Sequence, residues 1–241
     1  MDKLLFTALS GARRTLMSQQ VQANNLANVN TTGFRADLEQ ASTELLRGAG
    51  YQTRALVGEQ ALGSDFSGGA LQRTDRPLDV AIQGDGFFAV ETPQGEAYTR
   101  AGNFTTNDAG ELSVNGHPLM GTDGPIVLPE YSQLTVGKDG TLSIVAPNGG
   151  LMQEAGQLKL VNPKPDQIAK SPDGLFRMLD NSSAPSDDGV QVASGYLESS
   201  NVNAVDAMIR NMTLARNFEL QVKMMKTAED LTTAGNRLIR E

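Results

Sequence analysis

The hydrophobic pattern divides the chain into two helical ends and a middle with a different periodicity. Residues 1–29 and 202–240 each repeat apolar positions every three to four residues, the spacing of one helix face, and neither range contains a proline. All ten prolines lie between Pro77 and Pro185, in a stretch rich in glycine. The pattern therefore predicts a long helix at each end and a non-helical domain between them.

The N-terminal helix is predicted to bury one face along its whole length. Its apolar positions alternate in steps of four and three, the seven-residue repeat of a helix packed along one line of contact. Gln19 is the polar position of this repeat, and a single buried amide can fix the register of packed helices. An ordinary core helix would show the same pattern, so both interpretations stay open. The repeat consists of Leu5, Leu9, Ala12, Leu16, Gln19, Ala23 and Leu26.

The C-terminal helix is predicted to carry a broader apolar face. Asn203, followed three residues later by Asp206, resembles a capping box, although Asp is shorter than the usual Glu. Further leucines and a methionine widen the face, so we expect neighbours on several sides, and its methionines favour adaptable packing. The main row consists of Val205, Met208, Met212, Ala215, Phe218, Val222, Met225 and Ala228.

The middle of the chain is predicted to be a linker followed by a β domain. The linker begins as a helix over 36–46 and then becomes rich in Gly, Ser and Gln. From residue 78, short period-two runs alternate with Gly-Asp, Asn-Gly and Asp-Gly turns, which is typical of an all-β sandwich or barrel-like domain. The predicted strands are 78–82, 87–91, 97–100, 111–114, 133–136, 141–145, 157–161 and 175–178. The fold class is thus α+β, with segments 1–35, 36–75, 76–196 and 197–241.

Composition and charge favour assembly over nucleic-acid binding. Only 39% of the residues are hydrophobic and 5% are aromatic, which favours surface that becomes buried on association. The formal net charge of −8 disfavours a nucleic-acid partner, because phosphate binding requires clustered Lys and Arg. The first 33 residues hold three bases and one acid, and six bases balance six acids from Glu198 onward. Near-neutral ends can pack closely in a polymer, whereas the acidic middle suits a solvated outer face.

The sequence also limits the redox chemistry and the membrane association of the chain. It has no cysteine, which excludes disulfides and thiolate metal sites. The apolar run at 4–9 is short and is followed by Arg13 and Arg14, so we expect no cleaved secretory signal peptide. No run approaches the roughly 20 apolar residues of a membrane span, and we expect no membrane insertion.

The motifs for catalysis and cofactor binding are weak. Residues 84–89 match the G-x-G-x-x-A dinucleotide pattern, but Phe87 and Phe88 continue as a strand where that pattern requires a helix, so a hairpin is predicted. His117, the only histidine, is interpreted as a solvated loop residue, which disfavours a His-based triad or a two-histidine metal site. We predict no catalytic, cofactor-binding or metal-binding residues, no small-molecule substrate and no enzymatic activity.

Three segments carry the most specific information. Residues 23–35, Ala-Asn-Asn-Leu-Ala-Asn-Val-Asn-Thr-Thr-Gly-Phe-Arg, are rich in asparagine, which can satisfy free carbonyls at a helix end or bridge to neighbouring chains. Residues 76–88 begin with Arg-Pro-Leu-Asp-Val-Ala and open the β domain. Residues 195–202, Gly-Tyr-Leu-Glu-Ser-Ser-Asn-Val, return the chain to the last helix.

In this order, the three segments resemble the flagellar basal-body rod and hook family of bacteria. The first segment is similar to the N-terminal signature of that family, and the resemblance extends across nearly the whole chain. The Arg-Pro-Leu-Asp-Val-Ala run and the chain length are most similar to its proximal rod members. The extra methionines of the last helix depart from the family pattern.

The resemblance implies an axial structural subunit without a cofactor. The two terminal helices would pair coaxially in the inner tube of the axial structure, with the β domain outside. The chain would pass through the flagellar type III export apparatus, reach the periplasmic rod and transmit motor torque. Its partners would be other copies of itself, neighbouring rod proteins and the export apparatus. The expected assembly interface comprises Leu5, Leu9, Leu16, Gln19, Asn24, Asn25, Leu26, Asn28, Gly33, Phe34, Asn201, Val205, Met208, Met212, Phe218, Val222 and Met225.

Other functions remain open at the level of sequence. Within the family, the alternative is a distal rod or hook-type axial protein. Outside it, the chain could be an adhesin or binding module oligomerised by its terminal helices, or an enzyme acting on the cell wall. Because each isolated helix would expose its apolar row, we also expect both ends to be largely disordered or self-associating in the free chain.

Overall fold

The computed structural model confirms an α+β chain with a long helix near each end. It describes residues 2–39, 41–45, 55–59 and 63–238. Helix α1 spans Asp2–Ala27 and helix α2 spans Ala204–Leu238, so the predicted ends at residues 1 and 239–240 lie outside the described residues. The chain forms two compact units, the first within 1–27, 37–63 and 203–241 and the second within 28–36 and 64–202.

Short strands account for most of the regular structure between the helices. The first ten are β1 Asp37–Leu38, β2 Ala41–Leu45, β3 Ala55–Glu59, β4 Gly63–Ser64, β5 Leu71–Arg73, β6 Val80–Gln83, β7 Phe87–Thr92, β8 Gly95–Thr99, β9 Thr105–Thr106 and β10 Leu112–Val114. The others are β11 His117–Pro118, β12 Met120–Gly121, β13 Gly124–Pro125, β14 Gln133–Val136, β15 Thr141–Val145, β16 Gln153–Gln157, β17 Leu160–Val161, β18 Ile168–Lys170, β19 Phe176–Met178, β20 Gln191–Ser194 and β21 Tyr196–Glu198.

The first unit contains α1, α2 and an antiparallel hairpin formed by β2 and β3. The side chain of Asn203 caps α2, because its Oδ1 accepts hydrogen bonds from the backbone N–H groups of Val205 and Asp206 at 3.0 and 3.2 Å. The part of the predicted capping box that Asn203 contributes is therefore confirmed. Asp206 forms an ion pair with Arg210 one turn further along the helix, at 2.9 Å.

The prediction of a helix over 36–46 is wrong, because β1 and β2 occupy this segment. The side chain of Asn25 engages both backbone groups of Asp37, accepting from its N–H at 2.8 Å and donating to its C=O at 2.9 Å. These contacts replace the bonds that the backbone of Asp37 would make within a helix. Pairing of β2 with β3 then fixes the next residues as strand. Most of the glycine-rich part of the predicted linker lies outside the described residues.

The second unit is built on a five-stranded antiparallel sheet in the order β17-β7-β8-β19-β18. Successive side chains of a strand point to opposite faces, so Phe87 and Phe88 of β7 enter different cores. Phe88 packs edge-on against Phe104 in the larger core, with ring centroids 5.1 Å apart. Phe87 packs against Phe176 at 5.2 Å in the smaller core. Strand β7 is therefore buried on both faces, in agreement with its apolar run from Phe87 to Val90.

The remaining strands of this unit form small antiparallel sheets around the larger core. Three-stranded sheets have the orders β14-β15-β16 and β11-β10-β9, and the two-stranded pairs include β20-β6 and β21-β5. The Asn115-Gly116 hairpin prediction is confirmed, since both residues have positive φ, 50° and 83°. At 84–89 the predicted strand is confirmed, because β7 begins at Phe87. The hairpin of this strand is formed with β8, since β6 pairs with β20 instead of β7.

Two further predictions about the second unit need correction. The run 157–161 is not one strand: β16 ends at Gln157 and β17 begins at Leu160. The backbone N–H of Leu158 is bonded to Gly140 O instead, which interrupts the ladder. His117 is not a solvated loop residue. It is half-buried in β11, where it pairs with Val114, because the tight turn that precedes it returns the chain directly into a sheet.

The buried Tyr98 predicts a loss of stability at alkaline pH. Burial, reinforced by the Glu96 carboxylate, raises the pKa of Tyr98 to about 12, although its oxygen accepts a hydrogen bond from the Ala184 N–H at 2.7 Å. The unfolded tyrosine has a pKa of about 10. The contribution of the neutral phenol is therefore complete below pH ~10 and declines as the pH rises towards ~12.

We expect the unfolding free energy, measured by urea titration, to fall more steeply over this pH range in the native chain than in Tyr98→Phe. The difference between the two chains isolates Tyr98 from the lysines and the other tyrosines. Parallel pH profiles would contradict the assignment. At neutral pH, Tyr98→Phe should cost about 1–3 kcal/mol, because the Ala184 N–H loses its acceptor.

Candidate assembly site

The two helices pack together through an inner row on each helix that repeats every seven residues. On α1, three of the buried positions are small residues, Ala8, Ala12 and Thr15, which are 7%, 3% and 8% exposed. On α2, the less exposed positions follow alternating steps of four and three. Such rows are the contact line of a two-helix coiled coil. The inner row of α2 consists of Ala207, Asn211, Leu214, Phe218, Gln221, Met225, Ala228, Thr232 and Gly235.

A polar contact crosses this helix pair at Gly11, Thr15 and Gln221. Thr15 Oγ1 lies 2.9 Å from Gly11 O and 3.2 Å from Gln221 Oε1. A Cβ at Gly11 would lie 3.1 Å from Gln221 Nε2, so the glycine makes room for the amide. The predicted polar position, Gln19, is half-buried. The polar contact that joins the helices is thus one turn away from the predicted one.

The large apolar residues of both helices lie mainly outside the inner rows. Leu9 and Leu16 are 56% and 47% exposed on α1, and Val205 and Met212 are 66% and 60% exposed on α2. A folded chain seldom leaves so many large apolar side chains together in water, and such a surface marks an interaction site. Pairing within the chain therefore uses one side of each helix and leaves another apolar side open.

The predicted interface residues of the helices divide between these two sides. Leu26, Phe218 and Met225 are half-buried in the inner rows. Leu9, Leu16, Asn24, Val205, Met208, Met212 and Val222 are exposed. The side chain of Leu5 lies outside the described part of the structure. For these residues, a role in assembly stays a prediction.

The other predicted residues lie where the chain joins the second unit. We call the segments 28–36 and 195–202 of that unit the neck, since the first directly follows α1 and the second directly precedes α2 in the sequence. The two segments are paired: Gly33 N–H donates to Glu198 O at 2.8 Å and Asn201 N–H donates to Phe34 O at 3.3 Å. The structure thereby brings the first and third informative segments of the sequence together.

A buried ion triad of Arg35, Glu198 and Arg100 lies at the centre of the neck. Arg35 Nη1 is 2.7 Å from Glu198 Oε1, and Arg100 Nε is 2.9 Å from Glu198 Oε2. All three side chains are at most 3% exposed. Burial lowers the pKa of Arg100, and the nearby Arg35 charge acts in the same direction, whereas Glu198 opposes both. The carboxylate therefore compensates two buried cations.

Backbone groups complete the surroundings of the triad. Arg100 donates to Gly86 O at 2.8 Å and to Gly84 O at 2.7 Å, and Glu198 Oε1 accepts from Gly69 N–H at 2.8 Å. The glycines that matched a dinucleotide pattern thus supply carbonyls for an arginine. Gly33 has φ +67°, and a Cβ there would lie 2.3 Å from the carbonyl carbon of Arg100. Only glycine fits at this position.

Asn201 and Phe34 hold the rim of the neck. Asn201 accepts from Ala36 N–H at 2.8 Å and donates to Asp65 O at 3.0 Å. The Lys170 ammonium lies 3.7 Å from the ring centroid of Phe34 and donates to the backbone oxygen of Arg35 at 2.8 Å. The described contacts of Gly33, Phe34 and Asn201 lie within the chain. Asn28 accepts from the Thr31 hydroxyl in the turn that follows α1.

The sequence pattern did not predict the triad, although it had singled out the segments that contain Arg35 and Glu198. Arg35 ends the first segment and Glu198 lies in the third, but nothing in the spacing pairs them. The available signal was a charged residue inside a short strand, Glu198, and another, Arg100, directly after a buried strand. Charges at such positions require partners of opposite sign.

The described residues contain neither a membrane-spanning helix nor a cluster of metal-binding side chains. In that part of the chain, no helix combines the length and the hydropathy needed to cross a membrane. No group of three or more His, Asp or Glu side chains lies together so as to hold a metal ion among those same residues.

Comparisons with known proteins define the class of protein to which this geometry belongs. Three family models match the chain: the flagella basal body rod protein model over 5–35, the flagellar hook protein FlgE/F/G D1 domain over 81–144, and the flagellar basal body rod FlgEFG protein C-terminal over 193–238. The helices, the neck and the β domain are thus all covered in part. The chain belongs to the flagellar basal-body rod protein family.

Individual relatives point to one branch of this family. The flagellar basal-body rod protein FlgF of Escherichia coli and that of Salmonella typhimurium are each 39% identical to the chain, over 99% of both sequences. FlgG of Bacillus subtilis is 32% identical over 96% of this chain and 97% of its own. The family resemblance predicted from the sequence is confirmed, and the matches support a FlgF-like rod protein.

Removing the carboxylate of the triad should destabilise the second unit strongly. Glu198→Gln leaves two buried guanidinium groups without a countercharge, and breaking a buried ion pair in this way costs about 3–5 kcal/mol. Urea unfolding followed by the β-sheet circular dichroism signal measures the loss. The matched control is Asp75→Asn, because its pair with Arg73 is about 70% exposed and should contribute less than ~1 kcal/mol. Equal effects of the two substitutions would contradict this account.

Proposed function

We propose that the chain is a structural subunit of the flagellar rod that polymerises through its terminal helices. The observation that carries the proposal is the set of large apolar side chains left exposed on both helices. In a chain related along its whole length to rod proteins, these side chains are best explained as contacts with neighbouring subunits. The predicted segments 1–35 and 197–241 would be its assembly elements, with 36–75 as a linker and 76–196 as the outer domain.

Burial of these side chains would drive assembly. Fully burying a Leu or Met side chain contributes about 1.5–3 kcal/mol, whereas ordering the backbone costs about 1–2 kcal/mol per residue. An isolated terminal helix therefore gains little by forming, and a helix flanked by neighbours gains much more. Helix formation and polymerisation would be coupled, which would discourage premature assembly before export.

The neck would carry load between the helices and the outer domain. Its triad is buried and bonded to the backbone of several turns, so sliding either segment would leave at least one charge without a partner. A stiff junction of this kind suits a shaft that transmits torque. The neck would hold the segment that follows α1 and the segment that precedes α2 in one fixed pairing.

The chain would act in the periplasmic rod, close to the motor, after delivery by the flagellar type III export apparatus. It would contact copies of itself and neighbouring rod proteins, without a cofactor, nucleic acid or small-molecule substrate. The names of its relatives denote rod proteins, and we propose that the chain has no catalytic activity. The adhesin and cell-wall enzyme alternatives are not favoured by these relatives.

Exposed apolar positions on the helices should be essential for assembly and dispensable for folding of the subunit. We expect Leu16→Asp or Met212→Asp to abolish incorporation into basal bodies and motility, because each places a charge in a surface that neighbours would bury. The thermal midpoint of the β domain should stay within about 2 °C of the native value. Motility assays and immunoblots of purified basal bodies measure the first effect, and calorimetry measures the second.

The control for this pair is Asn217→Asp, which introduces the same charge at an exposed polar position of α2. It should preserve incorporation and motility. Normal motility of either apolar-to-Asp variant would refute the assembly role of that position.

A further inference from the structure

Helix α2 carries most of the accessible sulfur atoms in the described part of the chain. Among the methionines whose side chains the structure describes, four are more than half exposed, and three of these lie on α2. They are Met208, Met212 and Met224, at 52%, 60% and 54%, whereas the fourth, Met152, lies before β16 and is 55% exposed. Because the chain has no cysteine, these thioethers are its readily oxidisable sulfur atoms.

Met208 and Met212 lie one turn apart in an exposed apolar patch near the start of α2. Residues four apart on a helix are neighbours on one face, and so are residues three apart, which adds Val205 at 66% exposure. The ion pair of Asp206 with Arg210 lies on the opposite side, since two residues correspond to about 200° around a helix. Both sulfur atoms are therefore open to small reagents in a surface that is otherwise apolar.

We propose that Met208 and Met212 are oxidation sites through which peroxides control whether the chain can assemble. This inference rests on the proposed function, in which neighbouring subunits bury the patch. In the reaction, a sulfur lone pair attacks one oxygen of hydrogen peroxide, an S–O bond forms and the O–O bond breaks. The thioether loses two electrons and becomes a sulfoxide. The departing hydroxide takes the proton of the transferred oxygen and leaves as water.

Sulfoxide formation changes the patch from apolar to polar. The new oxygen accepts hydrogen bonds, and its burial is costly unless a donor is supplied. Val205, the apolar neighbour on the same face, supplies none. Oxidation of methionine is known to disrupt methionine-rich interfaces for this reason, and methionine sulfoxide reductases reverse it. Oxidised chains are therefore excluded from assembly until they are reduced.

Met152 provides a matched comparison within the same chain. It is as exposed as Met208, 55% against 52%, but it belongs to the β domain and lies outside both helices. Peroxide should oxidise the two positions to a similar extent, and only oxidation on α2 should affect assembly. Met120 and Met178 pack half-buried against the smaller core and should react more slowly.

Competition between two tagged chains under hydrogen peroxide tests the proposal. The unsubstituted chain and the double variant Met208→Leu, Met212→Leu are expressed together in cells that lack the native gene. Peroxide is present only while new basal bodies form, and both tags are quantified in purified basal bodies. The ratio in untreated cells is the reference, so any effect of leucine on assembly itself is removed. We expect peroxide to enrich the leucine chain about fivefold or more. Competition against Met152→Leu should give an unchanged ratio.

Peptide mass spectrometry of the unassembled chain reports the modification itself and completes the test. An unchanged ratio while Met208 and Met212 carry sulfoxide would overturn the inference and leave the rod function standing. Oxidation of Met152 without oxidation of the two helix positions would overturn it as well. Absence of the unsubstituted chain from untreated basal bodies would refute the rod function itself.

A second competition covers the case in which leucine alone excludes the chain. The double variant Met208→Gln, Met212→Gln imitates the polarity of the sulfoxide and competes with the unsubstituted chain without peroxide. We expect it to be depleted about fivefold or more, and Met152→Gln to be incorporated normally. Equal incorporation of the double variant would also overturn the inference.

Discussion

The buried contact of Glu198 with Arg35 and Arg100 is the interaction on which the neck depends. Two cations and one anion at most 3% exposed are stable only while all three remain in place, because an unpaired charge in the interior is costly. The triad fixes the segment after α1 to the segment before α2. It also fixes both to the turn at Gly84 and Gly86, through the carbonyls that Arg100 binds. Much of the local geometry follows, including the requirement for glycine at position 33.

The helices are organised by a different constraint, the width of their apolar faces. A single heptad row can pack against one neighbouring helix, and the inner rows of α1 and α2 pack against each other. The small residues Ala8, Gly11 and Ala12 allow a close approach, which leaves the larger leucines and methionines outside the contact. The β domain thus buries its apolar core within one chain, whereas the helices leave part of their apolar side chains exposed. This difference suits a subunit whose β domain folds alone and whose helices pack against neighbouring subunits.

Much of this architecture could be predicted from local signals. Periodicity located both helices, and Asn115-Gly116 and the apolar run at Phe87 and Phe88 located a hairpin and a strand buried on both faces. Periodicity could not separate two rows that differ by one residue, so inner and outer positions of α2 were combined into one row. The error at 36–46 arose because the side chain of Asn25, distant in sequence, takes over the backbone of Asp37.

The triad could not be predicted because its members are brought together only by tertiary structure. Arg35, Arg100 and Glu198 lie in three separate parts of the sequence, and the positions of Glu198 in a strand and of Arg100 directly after one indicate a need for partners without indicating which residues these are. The structure shows that they are among the most buried side chains of the molecule. The proposed function depends on a buried ion triad that local patterns do not reveal and on helix surfaces that they reveal only in part.

Amide hydrogen exchange on the free and the assembled chain tests the central claim most directly. The claim is that the contacts of the neck form within one chain, whereas the helices need neighbouring subunits to bury their exposed apolar side chains. In the free chain, the amides of Gly33 and Gly69, which donate to Glu198, should exchange as slowly as the core strands, and those of α1 and α2 much faster. In assembled basal bodies, the helix amides should become as slow as the neck. Helices already fully protected in the free chain, or a neck that exchanges as fast as the helices, would contradict the account.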